Sequence, residues 1–327
     1  MIIKKITIFT KVILTIFIIV SICIIVLIKI ANERDVNYSD YTEKSGEIEK
    51  KYATLGNYDV SYKEYEVNND LVGKYSIWYP SDIRSDSIMY PVIIFANGTG
   101  CIASTYKAFF KHLASWGFIT VGNDDKNTRS VESLEETIKF LIEENENKGS
   151  IFYQKIDLLN IGLGGHSQGG VAVFNMIVNQ KHGYMVKAAY AASATSSYHT
   201  AILNNQWEYD ISGIRVPIFL TAGTGFWDAG NATYKEQSTN NEKDIAQGIC
   251  PLWSLQENYN LLPDATEKVI ARKKNTDHGD SYKQFDGYMT AWFMYHLQDD
   301  TEAKRAFTIG GELSVNSLYQ DIQTNID

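Results

Sequence analysis

Residues 165–169 read Gly-His-Ser-Gln-Gly, a G-x-S-x-G motif centred on Ser167. In this motif a serine sits on a sharp turn between a strand and a helix, with its hydroxyl exposed for nucleophilic attack. The flanking glycines keep side chains out of the turn, and Gly170 allows the next helix to approach the sheet closely. We interpret Ser167 as a nucleophile. The alternative is a tight strand-to-helix turn with an incidental serine.

A serine hydroxyl needs a general base, which a carboxylate orients, and behind this motif the usual order is Ser, Asp or Glu, then His. Of the six histidines, His278 best fits the base, because it lies in a polar loop directly after the last apolar strand. His199 remains an alternative. The other four precede the serine or lie in predicted helices, which favours structural roles: His112, His166, His182 and His296.

Asp228 is the candidate for the orienting carboxylate. It follows the apolar strand at 217–221, and parallel strands place active-site groups at their carboxyl ends. Asp210 precedes that strand and therefore lies at the wrong edge. Asp277 and Asp280 are alternatives, although a sequence neighbour of His278 seldom points its carboxylate at the adjacent ring.

An oxyanion needs two preplaced N–H donors. The backbone N–H of Gln168, directly after the serine, is one candidate. The loop at 97–100, Asn-Gly-Thr-Gly, supplies the other, and we choose the Thr99 N–H, with Gly98 and Gly100 as alternatives. Three aromatic residues are candidates for an acyl pocket, or else ordinary core or surface aromatics: Tyr106, Phe226 and Trp227.

The elements around these residues alternate. A hairpin at 60–80 precedes apolar runs at 92–96, 118–121, 161–163, 188–192, 217–221 and 267–271, with amphipathic helical patterns between them. This order predicts an α/β fold with a mostly parallel central sheet and helices on both faces. At 327 residues the chain is long enough for one large catalytic domain.

The N-terminal segment is apolar from Val12 to Ile28 apart from Thr15 and Ser21, and the longer run from Ile6 spans about 34 Å as a helix. Lysines before it predict a cytoplasmic N-terminus and an extracellular remainder. We favour a single-pass membrane anchor. A cleaved signal peptide with a secreted product is the alternative, although no small-residue cleavage site follows the run.

The predicted organisation is therefore an anchor at 1–30, a polar spacer at 31–57 and a catalytic domain at 58–327. The net charge of −9, without a basic stripe, argues against a nucleic-acid partner. Outside the apolar run, Cys101 and Cys250 form a disulfide or are two buried thiols; the sequence leaves both open.

These motifs resemble the α/β-hydrolase superfamily, and within it the dienelactone-hydrolase, chlorophyllase and cutinase-like polyester-hydrolase branch of serine esterases. The similarity runs through roughly residues 60–310 and is carried by stretches at 92–100, 113–118, 161–170, 216–228 and 277–296. There are two departures: Asn97-Gly98 stands where His-Gly is usual, and the spacing from the strand to Asp228 is slightly long.

Together these features predict a serine hydrolase that cleaves small-molecule or lipid-like carboxylic esters through an acyl-enzyme, without a metal or organic cofactor. Ser167 attacks, His278 moves the proton and Asp228 fixes the imidazole tautomer. A peptidase or amidase with the same three residues is an alternative, as is a hydrolase fold that only binds.

Overall fold

The structure is a computed structural model that describes residues 2–85, 87–202, 208–230 and 248–327. Its strands are β1 Val60–Glu66, β2 Lys74–Pro80, β3 Tyr90–Ala96, β4 Ile119–Asn123, β5 Ile156–His166, β6 Val186–Ala192, β7 Ile218–Gly223, β8 Lys268–Lys273 and β9 Tyr319–Thr324. Its helices are α1 Ile2–Val36, α2 Tyr38–Tyr41, α3 Glu47–Tyr52, α4 Lys107–Ser115, α5 Glu132–Glu146, α6 Gln168–Asn179, α7 Ser197–Ile202, α8 Phe226–Ala229, α9 Leu252–Leu261, α10 Ser281–Gln284, α11 Asp286–Gln298, α12 Thr301–Lys304 and α13 Glu312–Val315.

The chain divides into two compact units, residues 1–41 and 42–327. The first unit consists of α1 and the short α2. Within α1, the stretch Ile13–Val36 contains an 18-residue segment with a mean hydropathy of 3.1, and none of that segment is buried. By length and composition this helix is able to cross a membrane, and a signal sequence has the same character.

The second unit is built on one sheet with the strand order β1-β2-β4-β3-β5-β6-β7-β8-β9 in the described residues. The neighbours from β4 to β8 pair in parallel, whereas β1, β2 and β9 pair antiparallel at the two edges. The predicted α/β fold with a mostly parallel sheet is confirmed. The edge strand β9 was not predicted from the sequence.

The core lies on both faces of the sheet because side chains alternate along each strand. In β3, Val92 and Ile94 belong to one apolar cluster, with α5 and α6 residues such as Leu134 and Phe174. Ile93 and Phe95 belong to the other cluster, which includes residues of α4 and α11. Both faces are thus covered by helices, as the continuous apolar runs indicated.

The second unit begins earlier than the sequence indicated, since residues 42–57, predicted as polar spacer, fold with it. Glu49 of α3 is 1% exposed and accepts hydrogen bonds from Lys273 Nζ (3.2 Å) and Asn316 Nδ2 (2.9 Å). Glu312 accepts the backbone N–H groups of Ile48 and Glu49 at 2.8 and 2.9 Å, which caps the start of α3. The sequence suggests that a charged residue such as Glu49 is exposed to solvent, but Glu49 is buried and hydrogen-bonded to residues of the second unit.

The Glu49–Lys273 pair provides a test of this assignment. Lys273 is 2% exposed, and its burial lowers the pKa of its amine while Glu49 opposes that shift. We expect Glu49→Leu to lower the free energy of unfolding by about 3–5 kcal/mol, because an unpaired charge stays buried. Adding Lys273→Met should recover a large part of the loss.

Chemical denaturation of a chain that begins at Thr42 measures these differences. If residues 42–57 act only as a spacer, the Glu49→Leu variant will unfold at the same denaturant concentration as the parent.

Candidate active site

Ser167 occupies a strained turn between β5 and α6. Its φ of 61° and ψ of −122° are rare for a residue with a side chain. The neighbouring backbone fits only glycine: a Cβ on Gly165 would lie 2.2 Å from the Gly169 carbonyl oxygen, and a Cβ on Gly169 would lie 2.2 Å from that of Ala96. The glycines of the motif therefore let the turn pack against itself and against β3.

Ser167, His278 and Asp228 form one hydrogen-bond chain. His278 Nε2 lies 2.9 Å from Ser167 Oγ, and His278 Nδ1 lies 2.7 Å from Asp228 Oδ1. A carboxylate only accepts hydrogen bonds, so this contact favours the tautomer with the proton on Nδ1. Nε2 then keeps a lone pair facing the serine hydroxyl, which is the arrangement that a general base requires.

Asp228 is fully buried, and its second oxygen is also held. Oδ2 accepts hydrogen bonds from the Gly223 N–H and the Ser193 hydroxyl, each at 2.6 Å. The carboxylate of Asp277 instead accepts the backbone N–H groups of Asp228 and His278. It thereby joins the two loops without facing the imidazole. The sequence analysis missed Ser193, because its position after β6 carries no local signal of this contact.

His166 links the serine turn to the loop that carries His278. Its Nε2 lies 2.8 Å from the His278 carbonyl oxygen and therefore carries the proton that is donated. Burial, and next the nearby His278, lower the pKa of His166 to about 3, so the ring is neutral at physiological pH. The ring is 7% exposed and packs against Tyr282, with centroids 5.1 Å apart.

In the loop after β3, one backbone N–H makes no hydrogen bond to the described residues. The Gly98 N–H donates to the Tyr106 hydroxyl at 2.9 Å, and the Gly100 N–H donates to the Lys126 carbonyl at 3.0 Å. The Thr99 N–H has no hydrogen-bond partner among the described residues, and neither has the Gln168 N–H at the start of α6. These are the two amides that the sequence analysis selected for an oxyanion.

The three aromatic candidates differ in how exposed they are. Tyr106 is 1% exposed and packs against Phe95 and Tyr282. Its hydroxyl accepts the Gly98 N–H in the core. The hypothesis that Tyr106 lines an acyl pocket is therefore wrong. Phe226 and Trp227 are 49% and 55% exposed, on the helix that carries Asp228. Both remain accessible to a substrate.

The remaining histidines have other partners. His112 Nδ1 lies 2.9 Å from Asp286, and His182 Nδ1 lies 2.6 Å from Glu135. His296 packs edge-on against Trp292, with ring centroids 4.1 Å apart. His199 Nδ1 lies 3.1 Å from Ser196 Oγ. The first two contacts join α4 to α11 and α5 to the chain after α6, and the third lies within α11. His278 is the histidine that the structure brings to Ser167.

Cys101 and Cys250 are both free thiols, the first half-buried and the second buried. In the described parts of the chain, no group of three or more His, Cys, Asp and Glu residues is arranged to hold a metal ion. A polar cavity of about 480 Å³ opens beside the loop after β4, and its lining is Asp70, Leu71, Ile102, Asp124, Asp125, Lys126 and Asn127.

The strand order and the strained serine turn are those of an α/β-hydrolase fold. In agreement, the family model described as Chlorophyllase matches residues 56–193, and this supports a serine hydrolase of the α/β-hydrolase type. The resemblance to the chlorophyllase-like branch is thus confirmed over that range. It includes Ser167 but neither Asp228 nor His278, whose assignment rests on the geometry alone. A comparison with curated proteins finds no match.

The low pKa of His166 predicts an acid-sensitive fold. In the unfolded chain a histidine takes up a proton near pH ~6.5, whereas the folded ring resists it until about pH 3. The stability that the neutral His166 ring contributes is therefore fully present above pH 6.5 and is lost as the pH falls towards 3. At pH 5 the loss is about 2 kcal/mol.

We expect the free energy of unfolding to fall between pH 8 and pH 5 by about 2 kcal/mol more in the parent than in His166→Gln. Denaturant titrations of the two proteins at both pH values measure this difference. The same pH dependence in both would show that His166 is protonated in the folded state as easily as in the unfolded chain.

Proposed function

We propose that this protein hydrolyses carboxylic esters through an acyl-enzyme formed on Ser167. The observation that carries the proposal is the hydrogen-bond chain from Ser167 through His278 to Asp228, with links of 2.9 and 2.7 Å. In this scheme His278 takes the proton from the serine hydroxyl and gives it to the departing alcohol. Asp228 fixes the imidazole tautomer and stabilises the imidazolium that forms.

In the same scheme the N–H groups of Thr99 and Gln168 bind the oxyanion of the tetrahedral intermediate. Their support is that both amides are unengaged while the neighbouring Gly98 and Gly100 amides are not. Backbone donors placed before the reaction need no reorganisation when the charge develops. Gln168 is also the first residue of α6, where the helix dipole favours negative charge.

The substrate in this proposal is a small-molecule or lipid-like ester. The exposed rings of Phe226 and Trp227 stand on the helix that carries Asp228, their centroids 5.7 Å apart. They offer an apolar surface for an acyl or alcohol chain close to the reacting groups. About half of each side chain is exposed, so both are accessible to a substrate chain.

The sharpest test of this function replaces the nucleophile. Ser167→Ala is expected to abolish hydrolysis of a short p-nitrophenyl ester and covalent labelling by a fluorophosphonate, while the melting temperature stays close to that of the parent. The parent should cleave the ester and leave the matching anilide intact under the same conditions, whereas an amidase would cleave both.

Ser197→Ala is a matched control, because its hydroxyl contacts Glu257 at 2.8 Å instead of His278. Parental activity in Ser167→Ala, or a fluorophosphonate adduct on another residue, would contradict the proposed nucleophile.

We further propose that α1 anchors the protein in a membrane, with the second unit on the extracellular side. The support is the apolar stretch Ile13–Val36, together with lysines 4, 5 and 11 on its N-terminal side. Positive charge next to an apolar helix favours the cytoplasmic side. An anchored esterase would act on substrates outside the cell or at the membrane surface.

Alkaline carbonate extraction of membranes tests the anchor. The full chain should stay in the membrane pellet, and its N-terminal peptide should still contain the apolar stretch. A chain that begins at Thr42 should be extracted. A mature protein whose first residue lies beyond Ile30 would instead indicate a cleaved signal and a secreted enzyme.

A further inference from the structure

The two proposed oxyanion donors come from different elements. Thr99 lies in the loop after β3, and Gln168 is the first residue of α6 after β5. The two elements meet directly where β3 pairs with β5, at Ala96 and Gly165, and where Gly169 packs against Ala96. Thr99 lies three residues beyond that contact, and an oxyanion hole works only when both donors reach one oxygen atom. The position of the loop at 97–100 relative to α6 therefore matters as well as the pairing of the strands.

A third piece of chain contacts both the loop and α6. Residues 123–128, here called the 123–128 segment, begin at the last residue of β4. The carbonyls of Asn123, Asp125 and Lys126 in this segment accept hydrogen bonds from the loop or from α6. The Lys126 carbonyl accepts the Gly100 N–H at 3.0 Å and the Gln168 Nε2 at 2.9 Å. One oxygen atom thus receives a donor from each of the two elements that hold the oxyanion donors.

Asn97 completes this arrangement on the β3 side. Its Nδ2 donates to the carbonyls of Asn123 and Asp125, both at 2.8 Å. In return, the Thr128 hydroxyl donates to the Asn97 carbonyl at 2.9 Å. The side chains of Asn97 and Gln168 are both fully buried, and the hydrogen bonds that Asn97 Nδ2 donates lie in the interior, where water does not compete for them.

We propose that the side chains of Gln168 and Asn97 are positioning residues, which fix the Thr99 and Gln168 N–H groups at the spacing that one oxyanion requires. This inference rests on the proposed function. The Gln168 side chain acts separately from its own backbone N–H, which remains in every variant at this position. A loss of activity after a side-chain change therefore reports on position and not on a missing donor.

The expected kinetic signature is specific. The oxyanion exists only in the transition state and the intermediate, so a misplaced donor lowers kcat and leaves KM nearly unchanged. A role in folding alone would lower the melting temperature and leave kcat per folded molecule unchanged.

The test compares Gln168→Met and Asn97→Leu with the matched control Asn175→Leu. Asn175 lies on the same helix, is 8% exposed, and its Nδ2 donates to the Glu208 carbonyl at 3.1 Å. The control therefore also loses a buried amide-to-carbonyl hydrogen bond, but one that does not involve the 123–128 segment.

With the full chain in detergent and a p-nitrophenyl ester, Gln168→Met and Asn97→Leu should each lower kcat about 10- to 100-fold and change KM less than about twofold. Inhibition by phenylboronic acid, which forms a tetrahedral adduct with a serine, should weaken by a similar factor. Asn175→Leu should keep kcat within about twofold of the parent.

Amide hydrogen exchange of the peptide at 97–101 gives a second readout that needs no activity. It should speed up in Gln168→Met and stay at the parental rate in Asn175→Leu. Unchanged kcat and exchange in Gln168→Met, or an equal loss of kcat in Asn175→Leu, would overturn the inference. A parent that neither cleaves the ester nor reacts with a fluorophosphonate would overturn the proposed function, and the exchange rates would still decide the inference.

Discussion

The contact between His278 Nε2 and Ser167 Oγ joins two residues that are 111 positions apart, and the rest of the site depends on it. No local feature of either segment can create it. It requires that β5 and β8 run parallel, because the chain leaves parallel strands at the same edge of the sheet. The strands β6 and β7 lie between them, and α8, which follows β7, places Asp228 against the Nδ1 side of His278. Parallel pairing across four neighbouring strands is thus a condition for the chemistry.

The charges around this contact determine whether His278 can take up a proton from Ser167. Asp228 is fully buried, and an uncompensated buried carboxylate would be costly. The Gly223 N–H and the Ser193 hydroxyl compensate it on one oxygen, while the imidazole of His278 meets the other. Burial lowers the pKa of His166, so its ring beside His278 is neutral. It therefore places no positive charge next to the imidazolium expected in the reaction. The buried surroundings therefore favour proton transfer between Ser167 and His278.

The sequence predicted the features that depend on local pattern or on chain order. The G-x-S-x-G motif, the apolar runs of the parallel strands and the position of His278 after the last parallel strand are of this kind. It did not predict β9, because Tyr319–Thr324 is polar and only half-buried at the edge of the sheet. It also assigned residues 42–57 to a spacer, since the burial of Glu49 depends on Lys273 and Asn316, more than 200 positions away. Contacts of this range leave no periodicity in the sequence.

Asn97 departs from the pattern of the similar esterases, and its hydrogen bonds show what an amide does at this position. Where His-Gly is usual, the amide group of Asn97 donates two hydrogen bonds from one nitrogen atom, to the carbonyls of Asn123 and Asp125. A neutral imidazole has a single N–H and would satisfy only one of these buried carbonyls, and a protonated ring would bring a charge close to the proposed oxyanion donors. The amide instead holds both carbonyls without a charge. In the proposed reaction, this arrangement suits a loop whose Thr99 amide has to stay in place while a negative charge forms beside it.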